Sequence, residues 1–433
     1  MRQVKKQHIS NPDTFKKQLL NWSTQFDEVM WLDSNNYEQK YSSYDAVLAV
    51  EAFTIFQTDY FDAFDQLKEY QTSTNDWIFG YLTYDLKNDV EHLTSKNPDD
   101  LRFPELFFFQ PKKIFFLKGN VLETHYLNMI DEELKQDLSD INSIGEKFEG
   151  HPVSEENNIK IKLRIHKDEY FNKLNTMLSH IHRGDIYEAN FCQEFYAEDT
   201  TINPLETYQK LNAISKPPFA TFMRVYDKYL LSASPERYIK KEGLKITSQP
   251  IKGTAKRSKN KEEDEALMKH LSEDIKERSE NVMIVDLVRN DLSKTATKGS
   301  VIVEELCKVY SFDQVHQMIS TVTSQVKEST HPVDIIKTTF PMGSMTGAPK
   351  ISAMKIIEEL EETKRGLYSG AVGYFSPDND FDFNVVIRSI LYNETNKYVS
   401  YSVGGAITAK SEPIKEYEEC LVKAKAMREV LEN

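Results

Sequence analysis

The chain has 433 residues, 39% of them hydrophobic and 28% charged, which is enough for a real core in one large domain or two ordinary ones. Its 68 acidic and 54 basic side chains leave a net charge of -14, which argues against a nucleic-acid partner but not against a small anion held by local charges. Cys192, Cys307 and Cys420 are odd in number and far apart, so neither a disulfide framework nor a zinc cluster is expected.

The N-terminal stretch MRQVKKQHISNPDTFKKQLLNW has no apolar core of the signal-peptide kind. No run approaches the roughly 20 apolar residues of a membrane span, so the expectation is a cytoplasmic protein with no membrane partner. Short apolar runs then alternate with turns: WIFGYLTYDL (Trp77 to Leu86), ELFFFQP (Glu105 to Pro111) and KIFFLKGNVLETHYL (Lys113 to Leu127). The last of these predicts a hairpin around Gly119-Asn120. The polar run from Ser139 to Lys160, with Gly150 and Pro152, reads as a linker. It divides a sheet-rich region, residues 1–150, from a second region, residues 160–433.

In the second region HKDEYFNKLNTMLSHIHRGD predicts a helix, with Tyr170, Leu174, Met177, Leu178 and Ile181 near helical spacing and Gly184 as its stop. YLLSASPERYIKKEGLKITSQPIKGTA predicts strand, corner, strand, a turn at Glu242-Gly243, and strand. One long helical stretch is expected from about Glu262 to Asp291. SGAVGYFSP, FDFNVVIRSILYN and KYVSYSVGGAI predict neighbouring strands, and EPIKEYEECLVKAKAMREVLEN a closing helix. Runs of strands with helices between or outside them indicate an α+β fold.

Two carboxylate pairs carry the first chemical signal. Glu277 and Glu280 are three apart on one predicted helix, and Glu416 and Glu419 three apart on another, so each pair shares a helix face. If the helices meet, four carboxylates converge, and a hard divalent cation such as Mg2+ would offset their repulsion. If they do not, these are solvated Glu-rich faces.

Lys252, in SQPIKGTAKR, is either a nucleophile whose pKa is lowered from about 10.4 by burial or nearby cations, or a surface lysine beside Lys256-Arg257. Glu236, in SASPERY, is a general acid if desolvation raises its pKa, and otherwise a loop carboxylate. Arg388 falls in a strand of high apolar content, where an inward guanidinium would need an anion. Val403 to Ile407 (VGGAI) offers backbone N–H groups for a carboxylate, or is a bend in a sheet. His316 is a ligand-orienting residue or a satisfied core histidine. PMGSMTGAPK lacks the spacing of a phosphate loop, so nucleotide binding is rejected.

In this order, GDIYEANFCQ, SASPER, PIKGTAKR, ERSENVMIVDLVRNDL, FPMGSMTGAPKISAMKIIEELE, RGLYSGAVGYF and EYEECLVKAKAM resemble the chorismate-utilising family, over roughly Ile165 to Arg428. The resemblance implies two packed antiparallel β-sheets flanked by helices, with the active site between them, as in anthranilate synthase component I. Glu280 and Glu419 then match direct Mg2+ ligands, and Glu277 and Glu416 carboxylates acting through water. Lys423 and the backbone of Gly404, Gly405 and Ala406 match groups that help hold the ring carboxylate of chorismate. Arg388 and Tyr368 match a clamp on the enolpyruvyl carboxylate, His316 and Thr346 line the ring, and Glu236 matches the general acid/base.

Lys252 resembles the nucleophile of the aminodeoxychorismate synthase branch, Mg2+-dependent transferases that make 4-amino-4-deoxychorismate for 4-aminobenzoate and folate synthesis. Anthranilate synthases usually carry Ala there. Isochorismate and salicylate synthases resemble each other in a Lys at position 188, where this chain has Glu188; the amine-transferring branches more often have Gln. No cysteine stands in a Gly-flanked elbow, so ammonia is expected from a separate glutamine amidotransferase subunit. WLDSNNY resembles a segment that forms a tryptophan pocket in some relatives, with Ser34 as a contact. The alternative activities are anthranilate synthase component I and a silent subunit that binds chorismate or a partner.

Overall fold

The computed structural model describes residues 2–37, 43–59, 61–91, 93–144 and 159–432. Two long strands, Ala46–Thr58 and Leu106–Lys118, pair antiparallel and hinge the architecture. Their register shifts between Ala52 and Thr54, opposite Pro111. Proline cannot donate to a ladder and is tolerated at such an irregularity. The runs ELFFFQP and KIFFLK therefore form one continuous strand, and the expected hairpin follows it at Gly119, with Val121–Leu127 as its return.

One antiparallel ladder leaves the hinge through Glu28–Asp33, Phe219–Val225, Lys228–Ser234, Ser389–Asn393, Tyr398–Thr408 and Glu188–Ala197. The other leaves through Ile78–Leu82, Ala371–Phe375, Phe381–Val385, Arg237–Glu242, Lys245–Gln249 and Val315–Gln325. Ile251–Lys256 and Ile302–Ser311 pair with Val315–Gln325. Residues 1–150 and 160–433 thus both supply strands to both ladders. The polar run begins in the helix Leu134–Ser143, and its residues 145–158 lie outside the described ones.

The sheets face each other across a core that joins Met30, Val47 and Leu230 from one to Phe79, Phe107 and Val372 from the other. A second core seats the helices Pro12–Ser23, Lys167–Arg183, Pro204–Ser215 and Pro413–Glu432 on the outside of the first sheet. A third seats Ala63–Thr74, Ile275–Ser293 and Pro332–Thr339 on the second. Each fully buried large apolar side chain contributes about 1.5–3 kcal/mol of transfer free energy. The expected arrangement of two packed antiparallel sheets flanked by helices is the one observed. No helix among the described residues is long and apolar enough to cross a membrane.

The helix expected from Glu262 to Asp291 is two, Lys261–Glu273 and Ile275–Ser293. Asp274 leaves the helical region, and its carboxylate accepts from the Glu277 N–H at 3.0 Å, which caps the second helix. Glu277 therefore sits in a helix's first turn, not in mid-helix.

Candidate active site

Lys252 stands on the strand Ile251–Lys256, just before Gly253. Gly253 adopts φ +85, and a Cβ there would lie 3.1 Å from Glu277 Oε2, so glycine lets the carboxylate helix close on this strand. The Lys252 side chain is only 13% exposed and its Nζ lies 3.6 Å from Glu188 Oε1. Burial opposes its charge, but the carboxylates of Glu188, Glu280 and Glu236 outweigh burial and hold its pKa above the ordinary lysine value. This corrects the expectation of a lowered pKa. The neighbours that decide it are anions, not cations.

Glu236 is buried at the corner between Lys228–Ser234 and Arg237–Glu242. Burial pushes its carboxyl up to about 7, against the Ser344 hydroxyl, the Lys252 charge and a backbone bond at Ile251 that favour the anion. A carboxyl poised there can donate a proton near neutrality. Glu188, at the start of Glu188–Ala197, is 2% exposed, and burial raises its pKa against the pull of Lys252. Among the described residues its Oε2 has no hydrogen-bond partner.

The helices Ile275–Ser293 and Pro413–Glu432 bring the two carboxylate pairs toward each other around Lys276. The Lys276 ammonium lies 3.7 Å from Glu280 Oε1 and 3.6 Å from Glu416 Oε1, and Glu419 and Glu277 also raise its pKa. Glu280 and Glu416 are buried, Glu277 is half-buried and Glu419 is exposed. Burial, with the Glu277 and Glu188 charges, pushes Glu280 up to about 7 despite Lys252 and Lys276. Among the described residues no three such groups stand close enough to form a metal cluster as they lie. The four carboxylates offer only oxygen donors, the kind that suits a hard dication, and two of them, Glu280 and Glu416, already flank a cation, the Lys276 ammonium.

Lys423 bonds Glu419 at 2.6 Å and the Gly404 carbonyl at 2.8 Å. The strand Ser389–Asn393 covers Tyr398–Thr408 only as far as Ser400. Gly404, Gly405 and Ala406 therefore pair with Cys192, Phe191 and Asn190 on one edge and, among the described residues, have no strand partner on the other. They sit inside the strand Tyr398–Thr408. A Cβ on Gly404 would lie 2.5 Å from Cys192 Sγ, which explains that glycine.

Arg388 is not within a strand, as expected, but at the corner between Phe381–Val385 and Ser389–Asn393, with φ +53. Its Nη1 donates to the Lys423 carbonyl at 3.0 Å, and the Tyr368 hydroxyl is within electrostatic reach. Thr346 is buried, its hydroxyl donating to the Gly343 carbonyl at 3.2 Å. His316 stands apart from this gathering in its bonding: Ser311 Oγ at 2.8 Å and Asp264 at 3.0 Å occupy both ring nitrogens.

Two residues escaped the sequence reading. Lys276 was hidden in a Glu-rich helix. Arg365, in RGLYSG, donates to Glu361 at 2.7 Å, to the Asn190 carbonyl at 2.7 Å and to the Met345 carbonyl at 2.6 Å. It ties the strand that carries Glu188 to the loop that carries Thr346. All three cysteines are buried and free.

A separate hollow of about 510 Å³ opens beside Ser34, with Tyr44, Phe219, Arg237, Asp382 and Asn384 in its wall. The Ser34 hydroxyl is buried there without a hydrogen-bond partner among the described residues.

A family model described as chorismate binding enzyme matches residues 27–429, and the chain belongs to that family. Similar curated proteins include both aminodeoxychorismate and anthranilate synthases. The chain is 41% identical over 275 residues to the aminodeoxychorismate synthase of Streptomyces griseus, covering 63% of this chain but only 37% of that longer protein. It is 35% identical over 357 residues to an anthranilate synthase component I-like protein of Synechocystis, covering 82% of this chain and 72% of that one. In structure it is similar to anthranilate synthase component I of Streptococcus pneumoniae, with a TM-score of 0.78 and 26% identity over 90% of this chain and 93% of that one.

Proposed function

We propose that this chain is the chorismate-binding component of an aminodeoxychorismate synthase, converting chorismate and ammonia to 4-amino-4-deoxychorismate in the cytoplasm. The ammonia would come from a separate glutamine amidotransferase subunit, since the buried cysteines lie outside any hydrolytic elbow. Mg2+ would be held by Glu280, Glu419, Glu277 and Glu416, and when bound supplies positive charge for the ring carboxylate. Lys423 and the open edge at Gly404 to Ala406 add donors for the same group. Arg388 and Tyr368 hold the enolpyruvyl carboxylate, and Thr346 packs by the ring.

Lys252 Nζ adds to C2, the ring double bonds shift, and the C4 hydroxyl leaves with the proton of Glu236. Ammonia then bonds to C4 as the shift reverses and Lys252 departs. Splitting one substitution into two is the usual gain of covalent catalysis. The observation that supports this reading best is a shielded Lys252 within electrostatic reach of Glu236, whose carboxyl burial pushes up to about 7.

Product analysis with chorismate, Mg2+ and an ammonium salt tests it. The expected product becomes 4-aminobenzoate only after a separate pyruvate-eliminating lyase is added. Anthranilate fluorescence without a second enzyme would establish the lyase reading instead. Chorismate binding without turnover would establish a silent subunit. The hollow at Ser34 is proposed to take tryptophan, read by equilibrium dialysis with wild type and Ser34→Trp.

A further inference from the structure

A lysine amine is ordinarily protonated near neutrality, and the proposed nucleophile is ion-paired with a carboxylate, Glu188, at 3.6 Å. Lys252 faces Glu188, Glu236 and Glu280, with Glu277 and Glu419 also within electrostatic reach, and the cations Lys276 and Lys423 stand among these helices. An ammonium has no lone pair, so a proton must leave Nζ before any bond to carbon forms. Of these carboxylates Glu188, Glu280 and Glu236 weigh most on Lys252, and two of the three are committed. Glu236 is needed as a proton donor and accepts from Ser344 and the backbone at Ile251. Glu280 faces Lys276 across 3.7 Å, on the proposed cation site.

Glu188 is left. It is the carboxylate in direct contact with Nζ, at 3.6 Å. It is 2% exposed, and its second oxygen is buried without a hydrogen-bond donor. A carboxylate deprived of donors is a stronger base than one that is solvated or fully bonded. Burial also disfavours the charged form of each partner, so an ion pair closed off from water lies nearer in energy to its neutral acid–amine form.

We propose that Glu188 is the proton acceptor that converts the Lys252 ammonium into the free amine. This inference rests on the covalent reading above and names the group it lacks. The step balances within the site. One Nζ–H bond breaks, its proton goes to a Glu188 oxygen, and its electron pair stays on nitrogen. That pair forms the bond to C2. The electrons displaced through the ring break the C4–O bond, and the oxygen leaves as water with the Glu236 proton. Glu188 ends neutral, Glu236 ends anionic, and the adduct nitrogen is a secondary ammonium. Bond reversal then expels it as a neutral amine, which recovers its proton from Glu188.

The test is quenched single turnover of the full chain with chorismate and Mg2+, without ammonia, reading the adduct on the Lys252 peptide by mass spectrometry. In Glu188→Gln the adduct should form about 100-fold slower near pH 7, at the lower end of general-base effects. The ratio of wild-type to variant rate should shrink as pH rises, because the unassisted amine gains population while the Glu236 requirement cancels. Glu188→Asp, which keeps a carboxylate, should retain the wild-type pH dependence at a lower rate. A ratio of one or less near pH 7 overturns the inference, since Glu188 would then only hold the cation. A ratio that does not change with pH also overturns it, by making the effect structural. Wild type that forms no Lys252 adduct at any pH overturns the covalent reading itself.

Discussion

At the end of the site where the two helices meet, carboxylates gather round Lys276, whose side chain is 45% exposed. At the strand end Lys252 is 13% exposed and faces carboxylates of its own. Both ends confront like charges brought close, but the helix end is far more open to water than the strand end. The open end can be balanced by a cation exchanged with solvent, at the modest strength of screened surface pairs. The closed end, with Lys252 mostly shielded, exchanges far less and can be balanced by moving protons among its own side chains. Chemistry that needs a neutral amine and a neutral carboxyl fits the closed end; anchoring a dicarboxylate fits the open one.

The largest expected effect would remove the closed end altogether. Lys252→Ala should yield no chorismate adduct on this chain, read by intact mass after quenching. Aminodeoxychorismate formed at the full wild-type rate would show that covalency belongs elsewhere.

Beneath the closed end lies a more extreme case of the same rule. The Arg365 guanidinium is 3% exposed and satisfied by Glu361 and two carbonyls. Arg365→Met would strand the Glu361 carboxylate in a dry interior, at a cost of about 3–5 kcal/mol in urea unfolding. Arg365→Lys should recover little, because a point charge cannot match the forked donor set. A loss well under 1 kcal/mol would mean that water reaches this layer.

The open end should respond through cation binding. Glu280→Ala is expected to weaken Mg2+ or Mn2+ binding more than about 100-fold by calorimetry, and Glu277→Ala about 10–100-fold, as for groups that support ligands without being ligands. Unchanged affinity in Glu280→Ala would dissociate the carboxylates from any metal.

The proton economy of the closed end should appear in pH dependence. Burial raises Glu236 to about 7, so in the proposed reaction its neutral form is the acid. The logarithm of kcat/KM should fall with unit slope as pH rises past about 7. The same shift adds stability below about pH 4.5, the unfolded value, and that contribution is lost as pH rises through 7. A kcat/KM profile level from pH 6 to 8 would remove Glu236 as the donor.

What the sequence displayed of this arrangement was local. The hairpin at Gly119 and the helix Lys167–Arg183 with its Gly184 stop follow from periodicity and turn chemistry, so both were legible. The break at Asp274 was readable too, since Asp274 and Glu277 have cap spacing, but the apolar pattern running through it dominated. The division of strands between two ladders rests on pairings such as Glu28–Asp33 with Phe219–Val225, which no local signal encodes. The spacing of the glutamate pairs was visible, whereas Lys276 between them looked like any solvated lysine. Arg388 read as a strand residue because its apolar neighbours hid the corner. The direction of the Lys252 shift was misread because its partners stand 16 to 64 positions away, from Glu236 to Glu188.

The smallest effect concerns Lys276, and it separates the two ends most finely. The two ion pairs of Lys276 are longer than ordinary contacts, and its side chain is nearly half exposed, so each is worth only a fraction of a kcal/mol after screening. A divalent cation entering the same cage must displace that ammonium. Lys276→Met should therefore tighten Mg2+ or Mn2+ binding roughly two- to tenfold at low ionic strength, with the gain fading at high salt. Weaker binding in Lys276→Met would reverse the picture, making the ammonium a prop that holds the carboxylates in place. Tighter binding leaves the open end as a site whose resident charge is provisional, unlike the Lys252–Glu188 pair, whose cation is tethered and can change only by giving up its proton.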